Sequence, residues 1–201
     1  MGAKKSKMLV EGLRLLEEYK IPVPKYWVNE IPGDIEFPLV VKADLNHKSD
    51  KGAVIKDILS VDHLQCAIEN LRLKFPDKDI IIQKQITGHF VETIIGVKRD
   101  PTFEYFVLFG IGGTITEILR DFVILVPPFN KEDFMRQLDY LKLKKVLFGF
   151  RSFPKVDLDK VYNVICNLCR ILLDKDLKEI EVNPLICTDK KVYAVDVRFF
   201  K

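Results

Sequence analysis

Charged and amide side chains recur where apolar strands should end or run: Lys42, Glu92, Glu117, Asn183 and Asp196. Asn183 stands in Glu181-Val182-Asn183-Pro184 and Asp196 in Ala194-Val195-Asp196-Val197-Arg198. If these two stretches pair as a hairpin, Asn183 and Asp196 sit almost opposite each other. An amide oxygen and a carboxylate are a common protein contribution to a Mg²⁺ site, the ion keeping waters and taking substrate phosphate oxygens besides. The bland readings stay open: Asn-Pro also starts ordinary turns, and Asp196 can pair with Arg198 or a lysine. Lys42 closes the apolar run Phe37–Lys42, where a lysine either neutralises phosphates as a point charge or reaches solvent. Lys48, Ser49 and Gly52 add donors nearby, but the GxxxxGK[ST] phosphate loop is absent. His47 is surface decoration or, with a ring nitrogen accessible beside cations, a phosphate acceptor.

The elements that must position these residues follow from periodicity and turn chemistry. The stretch Asp100–Asp121 carries two apolar runs, Tyr105–Phe109 and Ile115–Leu119, around Gly110-Ile111-Gly112-Gly113. It reads as a tight or bulged hairpin, with Glu117 either facing water or put to use. Spacing predicts a helix over Ser6–Tyr19, stopped by Ile21-Pro22-Val23-Pro24. Strands follow at Phe37–Lys42 and from Gly52, then a helix capped by Ser60 and running to Phe75. Further strands are expected over Asp79–Ile86, Phe90–Val97 and Asp121–Val126, the last stopped by Pro127-Pro128. Asn130 and Asp157 cap two more helices, with Phe134, Leu138 and Leu141 inward in the first and Val161–Leu172 in the second. Two closing strands, Lys178–Val182 and Lys191–Val197, flank Asn183-Pro184 and a polar turn near Asp189. This order implies an α+β (mixed α/β) fold and not a doubly wound parallel sheet.

Composition narrows the classes. With 201 residues, 48% hydrophobic and 30% charged, the chain fits one soluble globular domain or two small lobes. A net charge of +3 gives no footprint for nucleic acid. No apolar run approaches the roughly 20 residues a membrane helix needs, and the N-terminus lacks a signal-peptide core. Cys166-x-x-Cys169 falls in a helical pattern with no second pair, so Cys66, Cys166, Cys169 and Cys187 read as reduced core thiols of a cytoplasmic protein.

Taken together, these strings resemble the β subunit, the ATP-grasp half, of ADP-forming acyl-CoA (acetyl-CoA) synthetases, relatives of succinyl-CoA synthetase. The resemblance runs in order over nearly the whole chain: Ile-Pro-Val-Pro, Phe-Pro-Leu-Val-Val-Lys42 and His47-Lys48-Ser49-Asp50-x-Gly52. It continues through Gly96-Val97-x-Arg99-Asp100-Pro101-x-Phe103, Phe109-Gly110-x-Gly112-Gly113, Gly149-x-Arg151, Glu181-x-Asn183-Pro184 and Asp196-x-Arg198. It implies a single two-lobed ATP-grasp domain, with a small lobe of about 22–85 and a large lobe of 1–21 plus 86–201, ATP or ADP lying between them. Lys42 would contact phosphates, with Lys48, Ser49 and Gly52 beside it, and Gln83-Lys84-Gln85-Ile86 would present backbone to the adenine. Glu92 would bind the ribose or nearby polar groups. Asn183 and Asp196, with Glu181 beside them, match the Mg²⁺ ligands, and His47 matches a loop histidine that relays phosphate. The CoA-binding half is not in this chain, which implies a separate α subunit in an α2β2-like assembly.

The chain also departs from the family. Four residues separate Lys42 from His47, fewer than usual; Gly52 is followed by Ala53, Leu125 replaces an arginine, and Ser152 follows Arg151. Two other readings accompany the synthetase one: an ATP-grasp subunit that binds without turnover, and an ATP-grasp carboxylate ligase of other chemistry that does not need His47.

Overall fold

The structure, a computed structural model, describes residues 9–45, 52–113 and 120–201. Within them the chain builds two antiparallel sheets. The smaller has the order β1-β4-β2-β3, from β1 (Tyr26–Val28), β2 (Leu39–Ala43), β3 (Val54–Ile58) and β4 (Ile80–Lys84). The larger runs β10-β8-β5-β6-β7, from β5 (Val91–Asp100), β6 (Glu104–Ile111), β7 (Phe122–Leu125), β8 (Glu179–Cys187) and β10 (Val197–Phe200). The short β9 (Val192–Ala194) pairs with the far half of β8.

Each sheet buries one face under helix. Leu39, Val41, Ala43, Ile80 and Ile82, on alternate positions of β2 and β4, pack with Leu64, Ala67, Ile68 and Leu71 of α2 (Val61–Lys74). Ser60 caps α2, its hydroxyl accepting from His63 N at 3.2 Å. The larger sheet packs its Ile95, Val97, Val107, Phe109, Ile180 and Val182 face with α1 (Leu9–Glu18), α3 (Lys131–Gln137) and α4 (Leu158–Asp174). Phe134 of α3 is fully buried, its ring 5.2 Å edge-on from Phe109 and 5.9 Å from Tyr162. Gly12 lets α1 sit close on β10, since a Cβ there would lie 2.5 Å from Val197 Cγ1.

The starts of α2, α3 and α4 fall at the expected caps, and the expected start of the first helix at Ser6 lies outside the described residues, whereas several strand limits move. Gly110 and Ile111 are the last residues of β6 and not part of a turn, and β6 pairs with β7 through Gly110↔Phe122 and Leu108↔Ile124. The expected Ile115–Leu119 strand and Glu117 lie outside the described residues. The closing hairpin is also different: β8 does not stop at Asn183-Pro184 but continues through a cis Asn183–Pro184 bond to Cys187. Its partner breaks instead, into β9 and β10 around Val195-Asp196. Lys42 is the penultimate residue of β2, followed by Ala43. Of the four expected core thiols, Cys169 and Cys187 are buried, Cys166 is half-buried and Cys66 is exposed. On the water side of α2 the Cys66 thiol accepts from Asn70 Nδ2 at 3.6 Å. No helix among the described residues is long and apolar enough to cross a membrane.

Candidate active site

The second face of the smaller sheet is what builds the site. Alternation on β2 and β4 puts Val40, Lys42, Ile81 and Gln83 on the side away from α2. Ile81 joins the core of the larger sheet, so this face is turned toward it. Lys42 is 6% exposed; its ammonium donates to Gln83 Oε1 at 2.6 Å and to the Val195 carbonyl at 2.8 Å. The second bond crosses from one sheet to the other and lands on the residue before Asp196.

The break between β9 and β10 is where the polar groups gather. Asn183 N donates to Asp196 O at 3.2 Å and Val195 N to Pro184 O at 3.3 Å, so Asn183 and Asp196 leave neighbouring backbone positions. Asn183 Nδ2 donates to Glu181 Oε1 at 3.5 Å. Burial raises the Glu181 pKa above the ordinary carboxylate range, opposed by the Asn183 hydrogen bond and the Arg198 charge and reinforced by Glu179 and Asp196. Asn183, Glu181 and Asp196 each carry a side-chain oxygen, the ligand type a hard cation such as Mg²⁺ takes. Among the described residues no three His, Cys, Asp or Glu side chains gather to hold a metal.

Around this centre the other expected residues fall into place unevenly. Glu92 on β5 lies against the glycine joint: Gly112 N donates to Glu92 O at 2.6 Å, and a Cβ on Gly112 would lie 3.0 Å from the Glu92 carbonyl carbon. Glycine is needed there for the chain to pass so close. After β4, Lys84 N and Gln85 N are taken by Lys25 O and Pro38 O. The Lys84 ammonium holds Glu36 and the Phe37 carbonyl, and the Gln85 side chain holds Asp57. Gly52 adopts φ 59°, and a Cβ added to it would lie 2.9 Å from Lys74 Nζ, bringing a cation of α2 to the base of the β2–β3 loop. His47, Lys48 and Ser49 lie outside the described residues.

Three features escaped the sequence. Asp44, 1% exposed, accepts from Leu9 N at 2.7 Å and Val10 N at 3.3 Å, fastening the start of α1 to the end of β2. No local pattern marks a cap supplied from 34 or 35 residues away. The Val195 carbonyl is equally invisible, since a backbone acceptor carries no residue type. Asp121, expected to open the Asp121–Val126 strand, stands just before β7 as a buried brace that accepts from Lys142 N and Leu143 N, both at 2.8 Å.

Comparison with known proteins adds an independent line. The model of a family described as an ATP-grasp domain matches residues 3–200. The β subunit of acetate–CoA ligase [ADP-forming] I from Pyrococcus furiosus is 32% identical, the match covering 94% of this chain and 88% of that one. The acetate–CoA ligase [ADP-forming] I of Archaeoglobus fulgidus is 28% identical over 94% of this chain, which spans 30% of that longer protein. Among solved structures, acetyl-coenzyme A synthetase 1 of Ca. Korarchaeum cryptofilum, in complex with coenzyme A and Mg-AMPPCP, superposes with a TM-score of 0.84 at 30% identity, covering 98% of this chain and 92% of that one. In that complex the phosphohistidine segment points towards the nucleotide-binding site.

Proposed function

Because the chain belongs to the ATP-grasp family, we propose that it is the nucleotide-binding subunit of an ADP-forming acyl-CoA synthetase, making acyl-CoA, ADP and phosphate from an acid, CoA and ATP, reversibly. The observation that carries the reading is the Lys42 ammonium lying between the two sheets, bonded to the residue beside Asp196. ATP or ADP lies between a small lobe of residues 22–85 and a large lobe of 1–21 and 86–201, its phosphates at Lys42. Glu92 and Ile86 meet the nucleoside end; Lys48, Ser49 and Gly52 supply further donors from the β2–β3 loop.

Asn183, Asp196 and Glu181 would hold Mg²⁺, which when bound neutralises phosphate charge. The rest falls to the chain. Phosphoryl transfer asks mainly for alignment and charge compensation, and a buried ammonium acts strongly because little water screens it. In the direction of synthesis His47 takes the γ-phosphoryl group from ATP on a ring nitrogen, releasing ADP, and passes it to a phosphohistidine of the CoA-binding partner, separating nucleotide chemistry from attack by the acid. A CoA-binding α-type partner completes the enzyme in an α2β2-like assembly, in the cytoplasm.

The test is ATP-dependent CoA thioester formation by the chain mixed with its CoA-binding partner. His47→Ala is expected to stop thioester formation while leaving Mg-nucleotide affinity within about twofold, since less than RT of binding energy is involved. Undiminished synthesis by that variant would remove the relay and favour a ligase that does not use His47.

A further inference from the structure

Gln83 holds the one buried side-chain polar atom among the described residues that has no hydrogen-bond partner, its Nε2. The residue is 2% exposed. Its amide cannot be turned around to relieve this. The Lys42 ammonium has only donors, so the atom 2.6 Å away must be the oxygen. Nε2 is thereby fixed as a donor on the face of β4 turned to the larger sheet, in the same sheet face as Lys42. Leaving such a group unmet inside a fold is costly enough that native proteins rarely do it without a use for the donor.

The surroundings say which acceptor fits. Lys42 has as its second acceptor the Val195 carbonyl, an oxygen reached across the gap between the sheets. An anionic oxygen entering that gap would be a better acceptor for the ammonium than a neutral carbonyl. It would also stand beside the Gln83 amide.

We propose that the Gln83 side chain has two duties at the nucleotide site: Oε1 positions the Lys42 ammonium, and Nε2 donates to a nucleotide phosphoryl oxygen that replaces the Val195 carbonyl. This rests on the nucleotide-binding function proposed above. A neutral amide suits the task because it orients the ammonium without cancelling its charge, whereas a carboxylate at 83 would pair with Lys42 and repel phosphate.

The experiment titrates Mg-ADP and, separately, adenosine into the wild-type chain, Gln83→Met and Gln83→Glu, with Lys42→Met as reference. Methionine keeps the length and bulk of glutamine without its polar atoms, and thermal melting verifies that each variant is folded. Gln83→Met should weaken Mg-ADP roughly 10- to 100-fold, the worth of a charge-assisted hydrogen bond, and leave adenosine unchanged. Gln83→Glu should weaken Mg-ADP further. Unchanged Mg-ADP affinity in Gln83→Met, or an equal loss for adenosine, overturns the proposal while a loss in Lys42→Met keeps the parent function standing. Absence of Mg-ADP binding in the wild type removes both.

Discussion

At the residue scale, burial separates side chains that sequence alone treats alike. Lys42 is the penultimate residue of β2 and Lys84 the last of β4, yet Lys42 is sealed between sheets and Lys84 is tied to Glu36 at the surface. Lys42→Met is therefore expected to lower Mg-nucleotide affinity strongly, and Lys84→Met to leave it within about twofold, checked by calorimetry. The cysteines divide the same way. Burial pushes the Cys169 and Cys187 thiols up to about 12, so the thiolate is scarce in both. Cys66 is exposed on α2. A maleimide applied to the native protein should label Cys66 first and spare Cys169 and Cys187 until denaturant is added, which peptide mass spectrometry resolves.

At the element scale, helix starts were legible because capping chemistry is local. Ser60, Asn130 and Asp157 each accept from the backbone three residues on, as their types predict. Asp157→Ala should cost about 1 kcal/mol, read from the denaturant midpoint. The Lys160 side-chain hydrogen bond and the helix backbone hold the Asp157 pKa below its usual value. The sign follows: this cap is fully formed above the ordinary carboxylate pKa, and its contribution fades only as pH falls through the lower folded value. Strand limits were harder to read. Gly110 looked like a turn residue but ends β6, where a Cβ would lie 2.7 Å from Asp121 O; the glycine serves close approach of the neighbouring chain. Asn183-Pro184 carries a turn signature but runs inside β8, because the partner strand supplies the irregularity at Val195-Asp196.

At the scale of the molecule, the mixed sheet-and-helix architecture was legible from alternation and helical period, and the separation into two cores follows from which face each strand buries. The closeness of Asn183 and Asp196 was legible too, because both lie near one hairpin register. The long-range contacts of Lys42 and Asp44 were not, since they join residues 153, 35 and 34 positions apart through backbone groups that any sequence would carry. The core that supports the site has its own test: Phe134→Ala removes a fully buried ring from between Phe109 and Tyr162 and should cost about 3–5 kcal/mol in unfolding free energy by denaturant titration.

On the function proposed above, Lys42 and the Asn183/Asp196 pair form one nucleotide site between the sheets. Calorimetric titration of Mg-ADP and Mg-ATP into the chain, beside an Asn183→Ala/Asp196→Ala double variant, tests it most directly. Binding should be saturable, require Mg²⁺ and be lost in a folded double variant. Binding of equal affinity with and without Mg²⁺, or retained in the double variant, would contradict it.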